Sequence, residues 1–206
     1  ISSEIQKILS EVLQRFSDRK TFLIVDENTK IHCLPIIDSI NELKNAEIIE
    51  IQSGESNKSI DSLEKVWTVL TEKSADRKSL LINLGGGIIG DLGGFAASCF
   101  KRGIEFINIP TTLLSQVDAS VGGKTGVNFL GFKNEIGVFN HPKYVIIDST
   151  FNKTLDKKHI LSGWAEMLKH ALIFNEMDWN NLVSYDIKKV GFKELNQLIA
   201  RSVTIK

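Results

Sequence analysis

Five short apolar runs separated by stretches of helical periodicity restrict this chain to a small set of folds. Thr21-Phe22-Leu23-Ile24-Val25, Glu47-Ile48-Ile49-Glu50-Ile51, Leu80-Leu81-Ile82-Asn83-Leu84 and residues 105–109 and 144–147 read as strands. Helical segments fall between them near 35–44, over 58–73, and from the glycines at 85–87 to about Phe100. Strands that alternate with helices are joined by crossovers, and crossovers make a parallel sheet. Before the first strand, Ile5, Ile8, Leu9, Val12, Leu13 and Phe16 recur at helical spacing after Ser2-Ser3, which predicts a serine-capped amphipathic helix over about 3–17. Beyond Asp148 the texture changes. Ile160, Trp164, Met167, Leu168 and Leu172 have helical spacing, and so do Leu182, Val183 and later Leu195, Leu198 and Ile199. The expectation is an α/β domain over residues 1–148 followed by an all-helical part over 149–206, with no Gly/Ser/Pro-rich linker between them. The chain begins at Ile1 rather than Met and stops at Lys206 inside a helical pattern, so it reads as part of a longer polypeptide.

Composition excludes several classes of function. Twenty-five basic residues balance twenty-five acidic ones, so no global field advertises nucleic acid or an anionic membrane as partner. No run approaches the ~18 apolar residues of a spanning helix, and the N-terminus lacks the basic, apolar and cleavage regions of a secretion signal. Cys33 and Cys99 lie in different kinds of segment, so no disulfide framework is expected and a reducing cytoplasm fits.

The chemistry concentrates where the glycines do. Twelve of the fifteen lie between Gly85 and Gly137. In Leu84-Gly85-Gly86-Gly87-Ile88-Ile89-Gly90-Asp91 a strand runs into a glycine turn and then a helix, the arrangement in which free amides and a helix dipole receive a phosphate. The plainer reading is a tight strand-to-helix turn. Gly93-Gly94 would allow close packing on the sheet or on a ligand. Pro110 to Gly126 then packs hydroxyls, Asp118, glycines and Lys124 into seventeen residues at the carboxyl end of a strand, the edge at which open α/β sheets collect ligands. Gly122-Gly123-Lys124-Thr125 resembles the end of a Walker A loop, but Val117 stands where its first glycine would be. Lys133-Asn134 and Arg102-Gly103 add further cations, and together these residues describe a site for a phosphate- or carboxylate-bearing molecule. In the helical part, Glu166, Lys169 and His170 share one face at i, i+3 and i+4. That face is either a solvated ion pair or a place where a carboxylate and an imidazole share a metal. The four histidines form no HxxxH or HxH pair, so a complete metal site cannot be assembled from them.

Taken together, Gly85–Asp91, Arg102-Gly103, Pro110–Thr125, Lys133-Asn134 and Ser162–Lys169 resemble the 3-dehydroquinate synthase family, whose pattern is GGGxxGD, RG, PTTLLxQVDxSVGGKT, KN and SGxAExxK in this order. The resemblance implies a Rossmann-like, parallel-sheet NAD-binding domain followed by the start of an all-helical metal and substrate domain. It implies a lyase of the shikimate pathway that converts 3-deoxy-D-arabino-heptulosonate 7-phosphate into 3-dehydroquinate and phosphate. NAD is recycled there, oxidising a ring hydroxyl so that phosphate can leave and then returning the hydride, with zinc or cobalt polarising the oxygen.

Carried onto this chain, the resemblance gives Gly87, Ile88, Ile89, Gly90 and Asp91 to the NAD pyrophosphate and nearby groups, with Thr111 and Thr112 beside them. Ser53 to Lys58 is similar to the family's GExxK stretch, which puts Glu55 and Lys58 near the adenosine, with Asp26 as a further candidate. Phe151, Asn152, Lys153 and Thr154 would close the cofactor pocket. Asp118, Lys124, Asn134 and Lys169 match substrate-site positions, and Lys133 matches a lysine that contacts the cofactor, as does Lys124. Arg102 matches an arginine that reaches a phosphate across a dimer interface, implying a homodimer, and Glu166 matches the metal-ligand glutamate.

Two stretches depart from the family pattern. Asn128-Phe129-Leu130-Gly131-Phe132-Lys133-Asn134 stands where many members read NHPxGKN, and Leu155-Asp156-Lys157-Lys158-His159 where many read LPxRE. The family's two metal-ligand histidines and several basic substrate residues belong to the rest of the helical domain, beyond Lys206, so this chain alone is expected to turn over little. Three other classes compete. A cyclase making an inosose or a valiolone would differ mainly in substrate, and a metal-dependent polyol dehydrogenase would accumulate NADH. A non-catalytic NAD-binding module would lack Lys124, Asn134 and Glu166, all of which are present.

Overall fold

The computed structural model describes residues 1, 4–187 and 189–206, so the serine cap expected at Ser2-Ser3 lies outside the described residues. Helix α1 (Ile5–Leu13) tightens into a 3-10 turn at Gln14–Phe16 and leads to strand β1 (Thr21–Asp26). The next helical segment is broken rather than continuous, as α2 (Glu27–His32), α3 (Leu34–Ile37) and a 3-10 turn at Asn41–Leu43. Two residues explain the break. The Asp26 carboxylate accepts from the Thr29 amide at 2.7 Å in a capping box that starts α2 directly after the strand, and Pro35 in the first turn of α3 forces a fresh start.

Strand β2 (Glu47–Ile51), helix α4 (Ile60–Glu72), strand β3 (Leu80–Gly85), helix α5 (Gly87–Cys99) and strand β4 (Glu105–Pro110) follow as the sequence predicts. The expected strand at 144–147 shrinks to a two-residue edge, β7 (Tyr144–Val145). Between β4 and β7 lies an element absent from the sequence reading, an antiparallel hairpin of β5 (Lys124–Phe129) and β6 (Phe132–Phe139). The main sheet runs β2-β1-β3-β4-β7 and all its pairings are parallel. Chain order reverses at β1, so a crevice opens outside the carboxyl ends of β1 and β3.

Both faces of the sheet are covered, and residue parity decides which side chain goes where. Leu23, Val25, Ile82 and Leu84 pack with α1 and α3, whereas Phe22, Ile24, Leu81 and Phe106 pack with α4 and α5. Each such fully buried side chain contributes about 1.5–3 kcal/mol. The glycines of α5 serve this packing: a Cβ on Gly93 would overlap the Asn83 amide, and one on Gly94 would come 2.6 Å from Thr125 Cγ2. Close packing is therefore what Gly93-Gly94 provides. Cys33 is buried, which pushes its thiol up to about 11, Cys99 is exposed, and both are free. No helix among the described residues is long and apolar enough to cross a membrane.

Helices α6 (Lys157–Phe174), α7 (Glu176–Val183) and α8 (Phe192–Ile205) form the tail and gather a third cluster in which Trp164, Met167, Leu195 and Ile199 close on Leu113 and Val117. The tail is thereby seated on the segment that follows β4. Gly163 makes the contact possible, since a Cβ there would lie 2.6 Å from Leu113 Cβ and from the Leu114 amide nitrogen. Backbone cannot yield as a side-chain tip can. Gly163→Ala should therefore lower stability by about 1–2 kcal/mol in urea unfolding, the overpacking cost outweighing the gain of ~1 kcal/mol for alanine in a helix. A variant as stable as the parent would contradict this seating.

Candidate active site at the carboxyl edge of the sheet

The turn from β3 into α5 leaves its amides open. Gly86 is the N-cap and supplies no side-chain cap, so the first-turn N–H groups of Gly87, Ile88 and Ile89 face the carboxyl edge together with the positive end of a thirteen-residue helix. Glycine is needed because neighbours press on the turn: a Cβ on Gly86 would lie 3.2 Å from Thr112 Cγ2, and one on Gly87 3.2 Å from Ala119 Cβ. The Ile89 side chain is buried in the core, so only its backbone is offered to a ligand. Thr111 donates its amide to Gly85 O at 2.9 Å, and the Thr112 hydroxyl meets Ser115 Oγ at 2.9 Å, which ties the end of β4 to the glycine turn.

One turn into α5, Asp91 forms an ion pair with Lys58, whose side chain is only 6% exposed. The same ammonium donates to Asn134 Oδ1 at 2.5 Å, so one lysine bridges α5 and the hairpin. Asn134 takes a left-handed backbone, φ +55°, and its amide donates to Asn128 Oδ1 at 2.9 Å. Asn128 in turn bonds Lys58 O at 2.8 Å through its backbone and Glu55 Oε1 at 2.9 Å through its side chain. Lys133 lies 3.7 Å from the Glu55 carboxylate at the surface. Glu55, Lys58, Asp91, Lys133 and Asn134 are thus brought together, with Asn128 as a member that sequence reasoning missed. Burial raises the Asp91 carboxyl above its ordinary value, and the Lys58 charge pulls it partly back.

Beside this cluster runs a cleft of about 420 Å³ with Asp91, Asp118, Lys124, Asn134 and Lys206 on its walls. Asp118 projects from a π turn at Ser115–Ala119, a distortion that re-aims side chains. Its carboxylate pairs with Lys206, whose ammonium also donates to the Asp118 carbonyl at 2.5 Å. From α6, Glu166 pairs with Lys169 and meets His170 Nε2 at 3.1 Å. Asp118, Glu166 and His170 each offer a donor atom within 4.8 Å of the others. The triad was not legible as one site, because Asp118 and Glu166 come from segments far apart in the chain.

Other candidates stand apart. Asp26 spends its carboxylate on the α2 cap. Arg102 is exposed at a left-handed turn, φ +68°, and lines no part of the cleft. Phe151 is 1% exposed in the core beneath the sheet. Asn152 is buried, donating to Gln116 Oε1 at 2.8 Å, while Gln116 donates to Pro110 O and Asp148 O at 3.2 and 3.0 Å. Lys153 and Thr154 are exposed. The stretch 151–154 therefore anchors the end of β4 from behind, with only its second half open to solvent.

The Lys58–Asp91 pair has a testable signature. With its folded pKa held above the ordinary 3.8, Asp91 favours folding below that pH, and this contribution is lost as pH rises through the folded value. Lys58→Met removes the opposing charge and enlarges the shift. The variant should be less stable than the parent by about 3 kcal/mol at pH 7, with a smaller deficit below pH ~4, where Asp91 is protonated. An equal deficit at both pH values, in denaturant unfolding, would contradict the pairing.

Comparison with known proteins identifies the chain's relatives. A family model described as 3-dehydroquinate synthase N-terminal matches residues 48–162. Over 206 residues the chain is 46% identical to 3-dehydroquinate synthase of Parabacteroides distasonis, covering 58% of that protein. It is 39% identical over 194 residues to 3-dehydroquinate synthase of Ruminiclostridium cellulolyticum, covering 92% of this chain and 53% of that one. The chain thus spans little more than half the length of these curated relatives. Among solved structures, a 2-deoxy-scyllo-inosose synthase complexed with carbaglucose-6-phosphate, NAD+ and Co2+ shares the fold at a TM-score of 0.81 and 22% identity, over 95% of this chain and 57% of that one. A 2-epi-5-epi-valiolone synthase from Streptomyces hygroscopicus with NAD+ and Zn2+ bound gives 0.76 at 28% identity, over 91% and 54%. With more than half of its residues matched by that family's model, the chain belongs to the 3-dehydroquinate synthase family.

Proposed function

We propose that the polypeptide containing this chain is a 3-dehydroquinate synthase, closing the heptulosonate phosphate to 3-dehydroquinate with release of phosphate. The observation that carries this reading is the meeting of an uncapped helix N-terminus, the Lys58–Asp91–Asn134 cluster and the Asp118–Lys124 cleft at one sheet edge. Residues 1–148 form the cofactor domain on this reading and 149–206 the beginning of the helical domain. The protein works as a homodimer in the cytoplasm, with Arg102 delivered to the partner's phosphate.

The residues present fit both implied groups. The glycine turn has no Cβ to block a diphosphate, and its open amides and helix dipole suit one. Asp118, Glu166 and His170 are oxygen and nitrogen donors close enough to surround zinc or cobalt. When bound, NAD takes up a hydride and returns it, which makes the neighbouring C–H acidic enough for phosphate to leave, and a divalent metal polarises the oxygen being oxidised.

The chain's own groups do the holding. The open amides of Gly87, Ile88 and Ile89 and the Thr112 hydroxyl receive the cofactor phosphates, while the amides of Gly90 and Thr111, bonded to Gly86 O and Gly85 O, hold the turn in shape. Asp91, kept in place by Lys58, orients the part of the cofactor next to the substrate, and Glu55 and Lys133 bound its other end. Lys124 opens β5 at the cleft wall and presents an ammonium to the departing phosphate, where Asn134 adds a neutral donor. Asp118, Glu166 and Lys169 face the same space with charges that bind and orient hydroxyls.

The decisive assay follows phosphate release from the heptulosonate phosphate with NAD and zinc while recording NADH absorbance, on the full natural polypeptide that contains these residues. Phosphate should accumulate over many turnovers with no net NADH, and Lys124→Ala should lower kcat/KM by about 100-fold or more. NADH accumulating with polyol substrates would assign a dehydrogenase instead, and no phosphate at all would end the dehydroquinate reading.

A further inference from the structure

The ladder of the β5–β6 hairpin is interrupted where it meets the short 3-10 turn at Glu55–Asn57. Val127 pairs with Ile136 and Phe129 with Phe132, so Lys133, Asn134 and Glu135 of β6 all stand opposite the single residue Asn128 of β5. Such a bulge breaks the alternation of a strand and re-aims its side chains, here with Asn134 in the left-handed region at φ +55°. Two successive residues therefore reach the same stretch of chain, Lys133 toward Glu55 and Asn134 toward Lys58. The Asn134 amide finds its acceptor in a side chain, Oδ1 of Asn128 at 2.9 Å, instead of a ladder carbonyl.

The Asn128 side chain faces two groups of opposite demand. Its Nδ2 donates to Glu55 Oε1 at 2.9 Å and to Glu55 O at 3.3 Å, while the Asn128 backbone N–H donates to Lys58 O at 2.8 Å. An ionised carboxylate only accepts and a backbone N–H only donates, so the orientation of the amide is fixed, and only a short side chain with both a donor and an acceptor serves the two partners. We infer that Asn128 is a positioning residue that joins the two ends of the site: its Nδ2 holds Glu55 for the far end of the cofactor, and its Oδ1 holds the bulge that presents Asn134 to the substrate. With Asn134 Oδ1 taken by Lys58, Nδ2 is the group Asn134 has left to donate into the cleft, so a shift of its backbone moves that donor directly. The inference rests on the synthase reading above, which puts Glu55 at the cofactor and Asn134 at the substrate.

Two variants of the full natural polypeptide separate the two arms, each measured for NAD affinity by calorimetry and for phosphate release per calorimetrically counted site. Asn128→Ala removes both arms and should weaken NAD binding about 10-fold and lower kcat at saturating NAD about 10-fold. Asn128→Asp keeps an oxygen for the Asn134 amide but sets a carboxylate against Glu55. It should weaken NAD binding at least as much as alanine does, while restoring kcat to within about 3-fold of the parent. The aspartate is isosteric with asparagine, so its own split between affinity and kcat is the test if the alanine variant does not fold. NAD affinity equal to the parent's in the aspartate variant overturns the proposal, since a residue that merely stabilised the hairpin would cost active sites and leave affinity alone. A kcat there reduced about 10-fold or more overturns it too. A parent that releases no phosphate ends the synthase reading and this proposal with it; a parent that turns over while both variants match it ends the positioning role alone.

Discussion

Helix α5 lies flush against the sheet because two of its residues have no side chain to hold it off. Gly93 makes room for the Asn83 amide, which donates to Asn108 Oδ1 at 2.8 Å in the middle of the sheet, and Gly94 lets Thr125 of the hairpin lie on the helix. This close approach sets the direction of the helix and hence where its first turn points. It also lays β5 and β6 over the flank of α5. Without it Asp91 would not reach Lys58, and Lys58 would not reach Asn134. The hairpin obeys the same constraint, since Gly126 and Gly137 oppose each other and a Cβ on Gly126 would lie 2.5 Å from Ile136 O.

The second half of the site depends on how the helical tail is seated. The segment after β4 is fixed from below by Gln116, whose amide bonds both Pro110 O and Asp148 O, and from above by Gly163 against Leu113. Between these supports the chain takes a π turn and presents Asp118 toward Glu166. The buried polar bonds are fully directional, so they determine a register that apolar packing alone would leave loose. Two carboxylates from distant segments are thereby held near each other, with Lys206 and Lys169 offsetting their repulsion.

Much of this was legible in the residues. The buried strands announce themselves as continuous apolar runs, and Glu47–Ile51 has the predicted limits. The hairpin did not show, because glycines at 126, 131 and 137 interrupt its alternation and β6 is mostly exposed, so neither face carries a clean period of two. The segment near 35–44 carried helical periodicity, but Asp26 and Pro35 redistribute it into pieces. In the site, the motifs identified which residues matter, yet the bonds among them were hidden. Lys58 to Asn134 spans 76 positions and His170 to Ser202 spans 32, and no local spacing encodes such pairs. The resemblance also assigned Phe151 to the cofactor pocket, where burial instead makes it part of the floor under the sheet.

The central claim is that a diphosphate is received by the open amides at the start of α5, with the rest of the cofactor running past Asp91 toward the Asp118–Lys124 cleft. A crystal structure with NAD bound tests it most directly. The account predicts the diphosphate over the amides of Gly87, Ile88 and Ile89 and the nicotinamide end near Asp91 and Asn134. A cofactor bound elsewhere, or one whose diphosphate is held by side chains away from that turn, would contradict it.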